Sequence, residues 1–69
     1  MKRFLLERLT DVSGVSGIGI VAEGVAFTDG SAVIHWIAGE HHSTVVWPAI
    51  EGVEAIHGHG GATQIVWID

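Results

Sequence analysis

Five histidines, His35, His41, His42, His57 and His59, are the side chains here best suited to hold a metal or move a proton. His57 and His59 stand two apart, and on a strand residues two apart point the same way. Two imidazoles on one face chelate zinc, copper or nickel once a third ligand, His41 or Glu40, completes the set. Gly58, Gly60 and Gly61 weigh against a rigid strand there. A structural zinc site also takes four ligands, often including cysteine, and the chain has no cysteine. His57, His59 and His41 therefore form a candidate metal site set against a plainer reading, in which they cap or decorate two surface loops. On the plainer reading no cofactor is expected.

Catalysis needs a nucleophile, a base and a group that orients the base. Ser43 and Thr44 beside His42 supply the residue types, but neighbours in sequence are not neighbours in a fold, and Ser-Thr opening a strand is ordinary turn and β chemistry. Asp29, Glu51 and Glu54 could act as acid/base partners, yet each also reads as a turn or solvent-facing residue. No constellation emerges, so the expectation is a protein without enzymatic activity.

Glycines supply the remaining motif. Gly17-x-Gly19-x-x-Ala22 in "DVSGVSGIGIVAEG" spells a dinucleotide fingerprint, which works only where a strand ends at the first glycine and a helix begins under the pyrophosphate. The residues that follow, Ile20, Val21, Ala22, Glu23, Gly24 and Val25, favour a strand. These glycines are read instead as turns and close backbone approaches, with Asp11, Ser13 and Ser16 able to satisfy turn amides.

The elements that must carry these residues are short, β-branched and separated by glycine. Strands are predicted over 3–9, 18–28, 32–37, 43–47 and 62–69. Glu23-Gly24 predicts a bulge or bend inside the second. Asp29-Gly30 is a strong hairpin signal between the second and third. Pro48 stops the fourth, because it has no N–H for a ladder. Segment 49–58 reads as one tight turn followed by another strand from about Val53. The expected fold is all-β, a single domain over 1–69, built as a small five- to six-stranded SH3-like barrel or half-open barrel.

Charge narrows the partners. The formal net charge is −5, and the three fixed cations, Lys2, Arg3 and Arg8, all lie in the first eight residues. Nucleic-acid binding draws on phosphate neutralisation by Lys and Arg, so a nucleic-acid partner is not expected. No apolar run reaches the roughly 20 residues of a membrane span, and Glu7 and Arg8 interrupt the apolar start of "MKRFLLERL". A soluble, cytoplasmic protein without a membrane association is the expectation.

Face periodicity then bears on assembly. In the last strand Ile65 and Trp67 share one face, and Val66 and Ile68 the other. In 32–37, Ile34 and Trp36 face one way and Val33 and Ile37 the other. Strands apolar on both sides need a second covering surface, which so short a chain can scarcely supply. A homo-oligomer is expected, with another protein as a possible partner. Trp36, Trp47 and Trp67 each lie near a strand end; such residues pack in a core or self-interface, or, if one rim exposes all three, form a binding surface.

The order "DVSGVSGIGIVAEGVAFTDG", a central "HW", "STVVW" and "IEGVEAIHGHGGATQIVWID" resembles a group of short proteins from phage, actinobacterial and archaeal genomes over nearly the whole chain. The resemblance implies a compact unit encoded by a mobile element and brings no activity with it. The favoured function is a small non-enzymatic binding or adaptor module acting as a homo-oligomer. One alternative is a metal- or small-ligand-binding protein using the His57/His59 loop. Another is an acidic inhibitor or decoy that engages a basic surface of a host protein.

Overall fold

The structure is a computed structural model that describes residues 1–9, 18–57 and 61–69. Among the described residues, five strands and one helix follow in the order β1 (Lys2–Arg8), β2 (Gly19–Ala26), β3 (Ala32–Trp36), β4 (Thr44–Trp47), α1 (Ile50–His57) and β5 (Thr63–Trp67). The strands form one sheet of order β4-β3-β2-β1-β5, antiparallel throughout. The fold is thus all-β with one short helix, a half-open barrel in which α1 touches both edge strands, β4 and β5.

Register divides the side chains between two faces, because directly paired residues point to the same side. Phe4 and Leu6 of β1 stand opposite Gly24 and Ala22 of β2, and these opposite Ile34 and Trp36 of β3. This is the inner face. Phe4, Leu6, Ala22, Ala32 and Ile34 are buried there together with Val53 of α1. The outer face carries Leu5 with Glu23 and Val66, and Val33 with Val25 and Val46. Within β3 Ile34 and Trp36 share one face and Val33 the other, and within β5 Ile65 and Trp67 share one face and Val66 the other, as predicted; Ile37 and Ile68 lie just past the strand ends.

The Asp29-Gly30 hairpin forms as predicted. The Phe27 N–H donates to the Ser31 carbonyl at 2.8 Å, Gly30 takes φ +91°, and the Asp29 carboxylate accepts the Ser31 N–H at 2.9 Å and its hydroxyl at 2.6 Å. Those two bonds from Ser31, the hydroxyl's first, hold the Asp29 carboxyl below its ordinary value.

Two expectations need correction. The bulge in β2 lies at Val21, where the register steps from Leu6↔Ala22 to Glu7↔Ile20, and not at Glu23-Gly24. The Val21 carbonyl accepts the N–H groups of both Ile37 and Ala38, at 3.0 and 3.2 Å, which ties the bulge to the end of β3. Gly24 keeps regular pairing, and its bare backbone lets the Phe4 ring lie over it. An added Cβ would stand 2.5 Å from Phe4 Cζ and 2.7 Å from the Val33 carbonyl oxygen.

The second correction concerns 49–58, which is helix from Ile50 to His57 rather than a turn and a sixth strand. An eight-residue helix is marginal alone, so tertiary contacts hold it. Its first N–H, from Ile50, donates to the Gly30 carbonyl at 2.8 Å. Val53 is fully buried with Ile50 packed beside it, the Trp47 ring lies against Gly52, and Glu51 in the first turn suits the positive end of the helix dipole. Ile56 points outward and stays 60% exposed.

The chain ends are fastened together. Arg3 donates through Nη2 to Asp69 Oδ1 at 2.7 Å and through Nε to Oδ2 at 3.0 Å, and its backbone N–H reaches Oδ2 at 2.9 Å. These bonds hold the Asp69 carboxyl down at about 2, the side-chain bond from Arg3 being the largest cause. A carboxyl depressed in the fold contributes stability that is present above its unfolded value of about 3.9 and is lost as pH falls through the folded value. Urea unfolding followed from pH 5 down to pH 2 should therefore show a shallower acid loss in Asp69→Asn than in the parent. Equal slopes would mean that the pair does not form in solution.

Candidate functional site

The three tryptophans all project from the inner face, opposite Ala22 (Trp36), Ala32 (Trp47) and Phe4 (Trp67). Trp36 and Trp47 are half-buried against the core. Trp67, on edge strand β5, stays 45% exposed and meets the Phe4 ring edge-on, centroids 5.4 Å apart. Two of the three serve the core margin, and one sits at the opposite sheet edge.

The histidines divide similarly. His35 lies on the outer face of β3, paired with Glu23 on one side and Thr44 on the other. Its Nδ1 is 2.8 Å from Thr44 Oγ1, and its ring meets that of His42 edge-on at 5.9 Å. Thr44 thus contacts His35 rather than its sequence neighbour His42. His41 is exposed in the turn before β4. His57 closes α1, so the strand spacing that would align it with His59 does not apply. His59 and the His57 side chain lie outside the described residues, as do Gly17 and the rest of 10–17. Among the described residues no group of three His, Cys, Asp or Glu is placed to hold a metal ion.

Two features went unread in the sequence. The first is an open cavity of about 360 Å³ on the outer face, lined by Leu5, Val25, Val33 and Ile68 together with Arg3, Glu23 and His35. The pairing order brings these aliphatics, from β1, β2, β3 and the residue after β5, to one face, with Arg3 between Val25 and Ile68 and Glu23 beside Leu5. The second is Arg8. Its guanidinium side chain is on the inner face in phase with Phe4 and Leu6 and only 6% exposed. Nε donates to Thr63 Oγ1 at 3.2 Å, itself buried. Among the described residues, no carboxylate comes within ion-pair distance of it. A buried charge needs a counter-charge or a full set of acceptors, and the phase of Phe4-x-Leu6-x-Arg8 was the available signal.

The Acb5 phage protein family model matches residues 1–69, the full sequence. The chain belongs to the Acb5 phage protein family. No curated protein and no solved structure matches it. Membership agrees with the phage part of the resemblance read from the glycine-rich and histidine-rich segments. No helix among the described residues of this Acb5 chain is long and apolar enough to cross a membrane.

Proposed function

We propose that this Acb5 family member is a small phage binding module that works as a homo-oligomer, with two copies meeting through the outer face of the sheet. The observation that carries the reading is the composition of that face. Leu5, Val25, Val33 and Val66 line its middle, half-buried, while Ile20, Val46 and Ile68 are 42%, 72% and 52% exposed. Contiguous apolar patches of this kind mark interaction sites on soluble proteins. Five strands at about 4.8 Å spacing present a face on the order of 500 Å² per copy. Two such faces together reach about 1,000 Å², the lower bound for a specific interface. The Arg3–Asp69 pair, Glu7 hydrogen-bonded to Gln64 at 2.9 Å, His35 with Thr44, and Glu23 between Leu5 and His35 add polar groups among these aliphatics.

Val33→Glu places a charge in the middle of this face without touching the inner core. Light scattering at tens of micromolar should show the particle mass falling to half that of the parent, with an unchanged circular-dichroism spectrum. A parent protein that is already a single chain at that concentration overturns the reading.

Arg8 favours a second reading, a small anionic ligand received at the end of β1 where Gly19 and Thr63 flank it. A buried guanidinium binds carboxylate or phosphate oxygens in a bidentate fork, and an anion bound only by the folded state raises the melting temperature. Titration with inorganic phosphate should raise the melting temperature of the parent and leave that of Arg8→Lys, which keeps charge but not the fork, less affected. Identical responses of the two proteins would remove this reading.

A further inference from the structure

We propose that β4 is a docking edge for the β4 strand of a second copy, joining two five-stranded sheets into one of ten strands. This extends the self-association reading to a second surface and a defined pairing. The backbone of β4 decides which groups are available. The Trp36 N–H donates to the Ser43 carbonyl at 2.8 Å, which makes Trp36 and Ser43 a hydrogen-bonded pair of the β3–β4 ladder. Bonded pairs alternate along an antiparallel ladder, so Val45 opposite Ile34 and Trp47 opposite Ala32 also turn their amides toward β3. Thr44 and Val46 then turn their N–H and C=O groups away from the sheet.

Among the described residues no strand pairs with this side of β4, and four outward backbone groups on such an edge are a template for another strand. Two of the usual protections are missing from this one: residues 43–47 carry no charge, and the first proline comes only after the strand, at 48, although the strand is short at four residues. α1 lies against both edge strands, and the edges differ in exposure: Thr63 of β5 is buried, whereas Thr44, Val45 and Val46 of β4 are exposed. The occupant is specified by the sequence of β4 itself. With a two-fold axis at Val45, Thr44 pairs with Val46 of the second copy and Val46 with its Thr44, giving four N–H···O=C bonds. Val45, 37% exposed, meets its own symmetry mate on the inner face. The cross-strand pairs are Thr with Val on the outer face and Val with Val on the inner, the β-branched partners that stabilise sheets. Pro48 ends the pairing because it has no N–H to donate. Such a pairing is closed and self-complementary. Combined with contact through the outer faces, it yields four copies, two ten-stranded sheets back to back.

Two measurements test this. In amide hydrogen exchange on the parent protein, the Thr44 and Val46 amides should be protected on the order of 100-fold, like their neighbours Val45 and Trp47. Free exchange at 44 and 46 beside protected 45 and 47 overturns the proposal. Separately, Val46→Pro removes one outward N–H while leaving the bonds to β3 in place, and should halve the particle mass; Val46→Thr, which keeps the N–H, should not. A folded Val46→Pro protein of parental mass also overturns it. If Val46→Pro fails to fold, the exchange result decides. The outer-face reading stands or falls separately on Val33→Glu: mass halved by Val33→Glu and not by Val46→Pro leaves the face and removes the edge, and the converse result does the opposite.

Discussion

Replacing Gly24 by alanine should destabilise the protein by about 3 kcal/mol, at the upper end of what overpacking a core costs. The new methyl group would meet three atoms of two kinds. Two belong to the Phe4 ring, at 2.5 and 2.8 Å, and the third is the Val33 carbonyl oxygen at 2.7 Å. The ring has little room to retreat, because Phe4 is fully buried and abuts Trp67. The carbonyl belongs to a strand paired on both sides. Trimming Phe4 to leucine in the Gly24→Ala background should relieve the ring contact but not the backbone one, so the double variant should recover part of the loss relative to the sum of the single changes. Urea unfolding at one fixed protein concentration measures all four proteins. A Gly24→Ala protein within about 0.5 kcal/mol of the parent would be the cost of an ordinary surface change, and would mean that the Phe4 ring does not cover this glycine.

Glu54→Pro should cost about 3 kcal/mol, the penalty for proline inside a helix. Glu54 is exposed, so the change removes almost no side-chain packing and reads the backbone alone. Residue 54 is the fifth of α1, where the helical N–H bonds back to the first turn. Proline there deletes that bond and pushes against the carbonyl four residues earlier. Glu54→Ala, with the best helix former at the same position, should match the parent or exceed it slightly. Because Val53 packs into the sheet from this helix, losing α1 should also uncover Phe4, Leu6 and Ile34, and the Glu54→Pro protein should bind a hydrophobic dye that the parent does not. Parental stability in Glu54→Pro would restore the extended reading of 53–58.

What was legible in the sequence is what local chemistry and period two decide. Asp29-Gly30 makes its hairpin from residues within four positions of one another, through a left-handed glycine and an Asp side chain that bonds Ser31. The alternation in β3 and β5 sorted Ile34, Trp36, Ile65 and Trp67 from Val33 and Val66 because a pleated strand has no other way to place them. Glycine at 24 announced a special backbone position but not which kind. A bulge and a close approach look alike until the partner is known, and Phe4 is twenty residues away. The candidate metal set was less legible still. It depended on His57 lying in a strand, and the chain is helical there.

The amino-acid sequence alone therefore determined that this is a mostly β chain with apolar residues on both sides of its strands, since those properties follow from residue type and spacing over a few positions. Tertiary structure alone decided that Ile50–His57 is a helix, that Val21 rather than Gly24 carries the bulge, and that Arg8 is buried. Each of these rests on contacts between residues distant in the chain: Ile50 with Gly30, Gly24 with Phe4, Arg8 with Thr63. A short helix is too weak to declare itself without Val53 in the core, and a buried cation is invisible until the strands on either side of it are known.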